Sequence, residues 1–264
     1  MTLRSPLSLP LIFLAPLLLT AQPASRGKKF IEGVVTALGG DRFLHMQNRI
    51  EGGRAYSFYN EQLSGLTIAT IYTEYLDQPP AKGIAIRERQ VFGKHQDYSV
   101  LFFEDQGWDV TFRGARPLSD QPLSRFLNST LNNIFYILRV RYNEPGLEFD
   151  YVRDDVYDNT EVSVVDVFDS ENRTVHVMFD RNTKLPVKQS FDYVDPLTKM
   201  RMTESTVYAK YREVMGIMWP YSIQRERNDE KVYEIYSDRV QFNQNLPAST
   251  FSLPPGVKIL PKEK

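Results

Sequence analysis

The 264-residue sequence predicts an α+β protein built mainly of antiparallel strands. Three observations carry this reading. From Leu147 to Gln241 about seven strand-like runs follow one another, separated by short polar turns. The chain holds 15 Tyr and 16 Phe, residue types that favour strands. Helical periodicity is confined to the stretches around Phe30–Leu38 and Leu123–Leu138, with one short turn after the first.

The chain opens on an export signal. Arg4 supplies a positive start, and Leu7–Leu19 form an apolar run of secretory length, interrupted by Pro10 and Pro16. The run is too short for a bilayer, which takes about 20 residues. Thr20-Ala21 offers a small-residue cleavage site, so residues 1–21 are expected to be a signal peptide and residues 27–255 a single domain. Phe30, Ile31, Val34, Val35 and Leu38 then mark one face of a helix that Gly39-Gly40 ends. Asp41 can cap a short turn through Phe43-Leu44. Strands follow at Met46–Tyr59, with a bulge or bend at Gly52-Gly53, and at Leu66–Leu76, Gly83–Phe92, Tyr98–Phe103 and Trp108–Phe112.

A long helix is expected next. Ser119 or Asp120 can cap it and Pro122 suits its first turn. Leu123, Phe126, Leu127, Leu131, Ile134, Phe135 and Leu138 form a wide stripe at helical spacing, so one face must lie on apolar surface. Pro145-Gly146 ends the segment. The meander comes last: Leu147–Arg153, Glu161–Phe168, Thr174–Phe179, Leu185–Val194, Met200–Tyr211, Met218–Glu226 and Val232–Gln241, with Asp, Asn, Ser, Pro and Gly in the turns. Leu66–Leu76 and Glu161–Phe168 carry apolar residues on both faces, whereas a strand wet on one face alternates cleanly. Either one face lies on a core and the other on a cavity, or the sheet is covered on both sides.

Several segments carry a family likeness. They are Ala37-Leu38-Gly39-Gly40 at the end of the first helix, Val177 to Val187 with its Asp180-x-x-Thr183-x-x-Pro186 turn, and Glu204 to Tyr211. Gly216-x-x-x-Pro220, Asn243-Gln-Asn245-Leu-Pro247 and Phe251-Ser-Leu-Pro254 complete the set. In these the chain resembles the outer-membrane lipoprotein-sorting group of the periplasmic lipoprotein-carrier superfamily. The likeness is best over Asp150–Pro254 and weaker over Phe30–Phe112. It implies a half-open β-barrel curled around helices, with an apolar hollow that shields acyl chains. Asp180 and Thr183 can satisfy turn amides, Pro186 fits a strand start and Gly216 permits a tight turn.

Chemistry-bearing patterns are sparse. There is no cysteine, so disulfides, thiol catalysis and an N-terminal lipid anchor are not expected. His45, His95 and His176 are widely spaced and fit no metal-ligand pattern. Asp154, Asp155, Asp158 and Glu161 offer hard oxygen ligands but lack calcium-loop spacing, and a solvated turn accounts for them. Ser129 and Ser163 stand in no nucleophile elbow. A net charge of −1 offers no basic surface for nucleic acid. No catalytic residue, metal or cofactor is therefore assigned.

Apolar and aromatic side chains remain as candidates for lining the hollow: Phe102, Phe103, Trp108, Phe112, Leu127, Leu131, Phe179, Met218, Trp219 and Tyr221. The expected function is that of a monomeric, soluble periplasmic carrier, not an enzyme. It would bind a lipoprotein acyl chain or another hydrophobic ligand for transport towards the outer membrane, with the helix Leu123–Leu138 as plug or lid. The alternative is an envelope-sensing or interaction module of the same fold that docks a membrane-protein partner.

Overall fold

The structure is a computed structural model and describes residues 25–77, 83–195 and 198–262. The expected signal peptide lies outside the described residues. The chain enters through α1 (Arg26–Leu38) and a single turn, α2 (Asp41–Leu44). It then lays down β1 (Asn48–Tyr59), β2 (Gln62–Tyr75), β3 (Ile86–Phe92), β4 (Tyr98–Phe103), β5 (Gln106–Thr111) and β6 (Gly114–Pro117). Helix α3 (Asp120–Leu131) follows, and then α4 (Ile134–Tyr136), which runs on as a π-helical turn, Ile137–Arg141. The second meander is β7 (Glu148–Tyr157), β8 (Thr160–Phe168), β9 (Thr174–Asp180), β10 (Pro186–Val194), β11 (Arg201–Val214), β12 (Ile217–Arg227) and β13 (Glu230–Phe242). A 3-10 turn at Ala248–Phe251 leads into an extended tail.

All these strands form one 13-stranded antiparallel sheet, ordered β6-β5-β4-β3-β2-β1-β13-β12-β11-β10-β9-β8-β7. The two meanders meet where β1 pairs with β13. The sheet does not close, and it makes an incomplete barrel around the helices. Local chemistry explains the hairpins. Four of them turn on two residues that both have positive φ: Asn60-Glu61, Asp158-Asn159, Met215-Gly216 and Asn228-Asp229. Such turns match the twist of the flanking strands, and Asn, Asp and Gly tolerate the left-handed conformation. The β9–β10 turn is held by Asp180, whose Oδ1 accepts from the N–H groups of Asn182 and Thr183 and from the Thr183 hydroxyl. Pro186 then opens β10, as the family pattern implies.

The main core lies between α1, α4 and the inner face of the second meander. Ile31, Val34, Val35 and Leu38 of α1 are buried, as their spacing predicts. Ser25 caps the helix by accepting from the Lys28 N–H. At Gly27 the helix backbone presses on β7: a Cβ there would sit 2.1 Å from the Phe149 carbonyl oxygen. Gly27→Ala is expected to push α1 off the sheet and cost about 1–3 kcal/mol, read as a lowered urea midpoint at unchanged slope.

The stripe from Leu123 to Leu138 predicts one helix, and the structure corrects this to two. Asn133 leaves helical geometry at φ −77° and ψ 126°, and its side chain accepts from the N–H groups of Phe135 and Tyr136. It thereby caps a new helix. The two halves differ in setting. Ile134 to Leu138 are all buried, whereas α3 has no fully buried residue. The sequence also gives no sign of β6. Beyond it, the tail runs parallel to β6: Ala115 N–H donates to the Lys258 carbonyl at 2.9 Å, and Leu260 N–H to the Ala115 carbonyl at 2.8 Å. Lys262 then pairs with Asp120 at the start of α3, at 2.5 Å.

Candidate functional site

A hollow of about 460 Å³ lies between α3 and the inner faces of β1–β4 and β11–β13. A smaller one of about 80 Å³ adjoins it and shares Arg49, Glu88, Phe126, Ser129 and Arg225. Strand alternation sets the lining. Side chains two apart share a face, so Trp219, Tyr221, Ile223, Arg225 and Arg227 of β12 all point inward. The first two are packed in the core, and the last three line the hollow. On β13 a bulge intervenes: Gly52 pairs with Arg239 and Gly53 with Ser237, leaving Asp238 unmatched. The extra residue swaps faces, so Phe242 and Val240 point inward on one side of it and Ile235 and Tyr233 on the other.

One wall is apolar, formed by Ile71, Phe92, Phe102, Phe126, Ile223 and Ile235. Phe126 of α3 stacks on Phe102 of β4, with ring centroids 3.5 Å apart and planes 9° from parallel, which seats the helix on the sheet. Towards the core the hollow ends on a polar layer. Arg49 lies over the Trp219 ring at 4.4 Å, donates to Thr73 Oγ1 at 3.2 Å and faces Glu51 at 3.5 Å. Burial alone lowers the Arg49 pKa, but Glu51, Tyr75 and Glu88 outweigh it and hold the guanidinium above its ordinary value. Glu51 accepts from Ser237 Oγ at 2.5 Å. Glu88 accepts from Thr73 Oγ1 at 2.9 Å and Gln90 Nε2 at 2.7 Å. Glu204 accepts from Ser129 Oγ of α3 at 2.5 Å.

The structure distributes the ten apolar candidates. Phe102 lines the hollow. Leu127 and Leu131 line a separate groove of about 380 Å³ with Ile84 and Leu123. Phe179, Trp219 and Tyr221 are buried in the main core, and Met218 packs against it half-buried. Phe103 and Trp108 are half-buried on β4 and β5, outside the hollow. Phe112 stands in the β5–β6 turn at 87% exposure, where no strand neighbour covers it. The charged residues of the hollow escaped the sequence reading. The alternation of β12 was the available signal, since it carries Arg225 and Arg227 on the face of Trp219.

Nothing in the described residues assembles a metal site: no group of three or more His, Asp or Glu side chains could hold an ion. Within the acidic stretch, hydrogen bonds from Tyr151 and Ser163 hold Asp154 below the usual carboxylate range, and Asp155 pairs with Arg153. His176 meets Asp166, and His45 bonds the Asp41 carbonyl. No helix among the described residues is long and apolar enough to cross a membrane.

An open antiparallel sheet wrapped on helices, with a ligand-sized hollow under one of them, defines the architecture. The comparisons place it more narrowly: it is the fold seen in solved LolA-like and DUF1329 structures. The structure is similar to a DUF1329-family protein from Desulfovibrio piger, with a TM-score of 0.61, 11% identity, and 87% of this chain and 98% of the other covered. It is similar to a domain described as an outer-membrane lipoprotein-sorting protein from Vibrio parahaemolyticus (0.55, 12%, 85% and 95%). It is also similar to a LolA-superfamily protein from Nitrosomonas europaea (0.51, 12%, 84% and 96%). No family sequence model matches the chain, and no curated protein matches it in sequence.

Proposed function

We propose that this chain is a periplasmic carrier that holds a lipoprotein acyl chain, or a comparable hydrophobic ligand, under α3 and passes it towards the outer membrane without covalent chemistry. The observation that carries this is the hollow itself. Its volume of about 460 Å³ falls in the range of about 300–1,000 Å³ typical of ligand pockets. Its apolar wall rewards an alkyl chain by about 0.8 kcal/mol per buried methylene. An interior filled by its own side chains would have favoured the interaction module. The sorting function in the name of the Vibrio parahaemolyticus domain supports the same reading.

The split of the long helix supplies the moving part. α3 is held by the Phe102–Phe126 stack, by Ser129 on Glu204 and by Lys262 on Asp120. It can lift about Asn132-Asn133 while Ile134–Leu138 stay in the core. Partner proteins of the envelope membranes would load and unload the open form of the monomer.

Native mass spectrometry of the protein purified from cells, with titration of a fluorescent fatty acid, tests the reading. A co-purifying lipid and saturable binding are expected. Ile223→Trp fills the hollow and is expected to weaken binding about tenfold or more, or about 1.4 kcal/mol. No lipid in the purified protein and no fatty-acid binding would overturn the proposal.

A further inference from the structure

The hollow contains more guanidinium than its carboxylates use. Glu51, Glu88 and Glu204 are each engaged, by Ser237 and Arg49, by Thr73 and Gln90, and by Ser129. Of the four arginines lining the same space, Arg49 alone has a carboxylate partner. The side chains of Arg125 of α3 and of Arg225 and Arg227 of β12 make no hydrogen bond or ion pair among the described residues. The Nε atoms of Arg125 and Arg227 are buried without an acceptor. The Arg225 guanidinium lies 6.0 Å from the centre of the Tyr233 ring. Buried donors without acceptors are costly, and guanidinium forks match carboxylate and phosphate oxygens. An alkyl ligand alone would leave the buried Nε atoms of Arg125 and Arg227 unsatisfied, whereas Arg225 is exposed and offers its fork from the solvent side.

We propose that the hollow binds an anionic amphiphile, its carboxylate or phosphate headgroup held by Arg125, Arg225 and Arg227 and its alkyl chain laid along Ile71, Ile223 and Ile235. The inference rests on the carrier reading and names the ligand class for the same site. Arg125 rides on α3 and the other two on the sheet, so the headgroup would bridge cover and wall. An anionic ligand would thereby hold α3 down, and a neutral one would not.

The test compares hexadecanoate with hexadecanol, which share a chain and differ in charge, by competition against a fluorescent probe on the full chain at alkaline pH. Hexadecanoate is expected to bind at least about tenfold more tightly, as charge-assisted hydrogen bonds warrant. Arg225→Gln/Arg227→Gln is expected to bring the ratio to within about twofold, and Arg225→Lys/Arg227→Lys to restore part of it, since lysine keeps the charge without the fork. Both variants are checked for folding by urea titration. Equal binding of the two ligands by the wild type, or a ratio unchanged in the glutamine variant, overturns the headgroup assignment and leaves the carrier reading standing. Binding of neither ligand overturns the carrier reading beneath it. Excess inorganic phosphate is expected to leave hexadecanoate bound. Displacement by phosphate alone would reassign the arginines to a free anion.

Discussion

Asp169→Ala is expected to cost about 3 kcal/mol of folding stability, the low end of the roughly 3–5 kcal/mol for breaking a buried ion pair. The Asp169 side chain is 3% exposed and its partner Arg141 is 6% exposed, with 2.8 Å between them. Arg173 adds a second contact at 2.7 Å, and the N–H groups of Glu171 and Arg173 each donate to Oδ1 at 3.0 Å. The low end applies because Glu144 stays on Arg141 at 2.6 Å after the change. Urea unfolding reads the loss as a lower midpoint at unchanged slope. A pH signature goes with it. Burial pushes the Asp169 carboxyl up, but the bonds from Arg141 and Arg173 outweigh burial and hold it below its ordinary value. The stabilisation is complete above the unfolded pKa of about 3.9. It is lost as the pH falls from there through the lower folded value. Asp169→Asn is expected to flatten the acid limb of the stability profile in that window. Arg141 also donates to the Leu131 carbonyl at 2.9 Å, so this pair anchors the last turn of the helix over the hollow.

Gln189→Leu is expected to cost about 3 kcal/mol while keeping the side-chain volume. Gln189 is 2% exposed, and its Oε1 accepts from the Ile134 N–H at 2.8 Å and from the Tyr208 hydroxyl at 2.8 Å. Its Nε2 donates to the Asn132 carbonyl at 3.0 Å. Leucine would leave the Tyr208 hydroxyl the bond from Asn133 Nδ2, but would strand two backbone groups, each worth about 1–3 kcal/mol if left buried and unpaired. These groups sit at the joint between α3 and α4. Faster amide exchange at Ile134 is therefore expected alongside the lower urea midpoint, and looser seating of α3 should show as faster ligand release. Exchange at Ile134 as slow as in the wild type would show that the joint is held by something other than Gln189.

The same joint marks where the sequence became hard to read. The strands and their turns were legible because each rests on neighbours in the chain: Asp180 with Thr183, Gly216, and the alternation of Val175, Val177 and Phe179. The break at Asn132-Asn133 was not, because the apolar stripe runs through it and the local cap by Asn133 is completed by a tertiary partner, Gln189. β6 escaped because Gly114-Ala-Arg-Pro117 has no alternation of its own and pairs with β5 and the tail. The hollow was read least well. Period two shows which side chains of β12 face inward, but not how far along the strand the core stops. Trp219 and Tyr221 fall on the filled side of that limit, and Ile223, Arg225 and Arg227 on the empty side. Depth depends on which other strands curve over the same point.

A sheet that fails to close must end somewhere, and each end is a row of amide groups open to another strand. At β7 the row is discouraged by α1, packed at Gly27 against Phe149, and by the exposed charges of Asp150, Arg153 and Asp154. At β6 the last residues of the chain do this work, since Lys258 and Leu260 take up both hydrogen-bonding groups of Ala115. The tail thus acts as a chaperone for its own sheet: it occupies the positions where a second copy, or an unfolded passenger, would otherwise begin to stack.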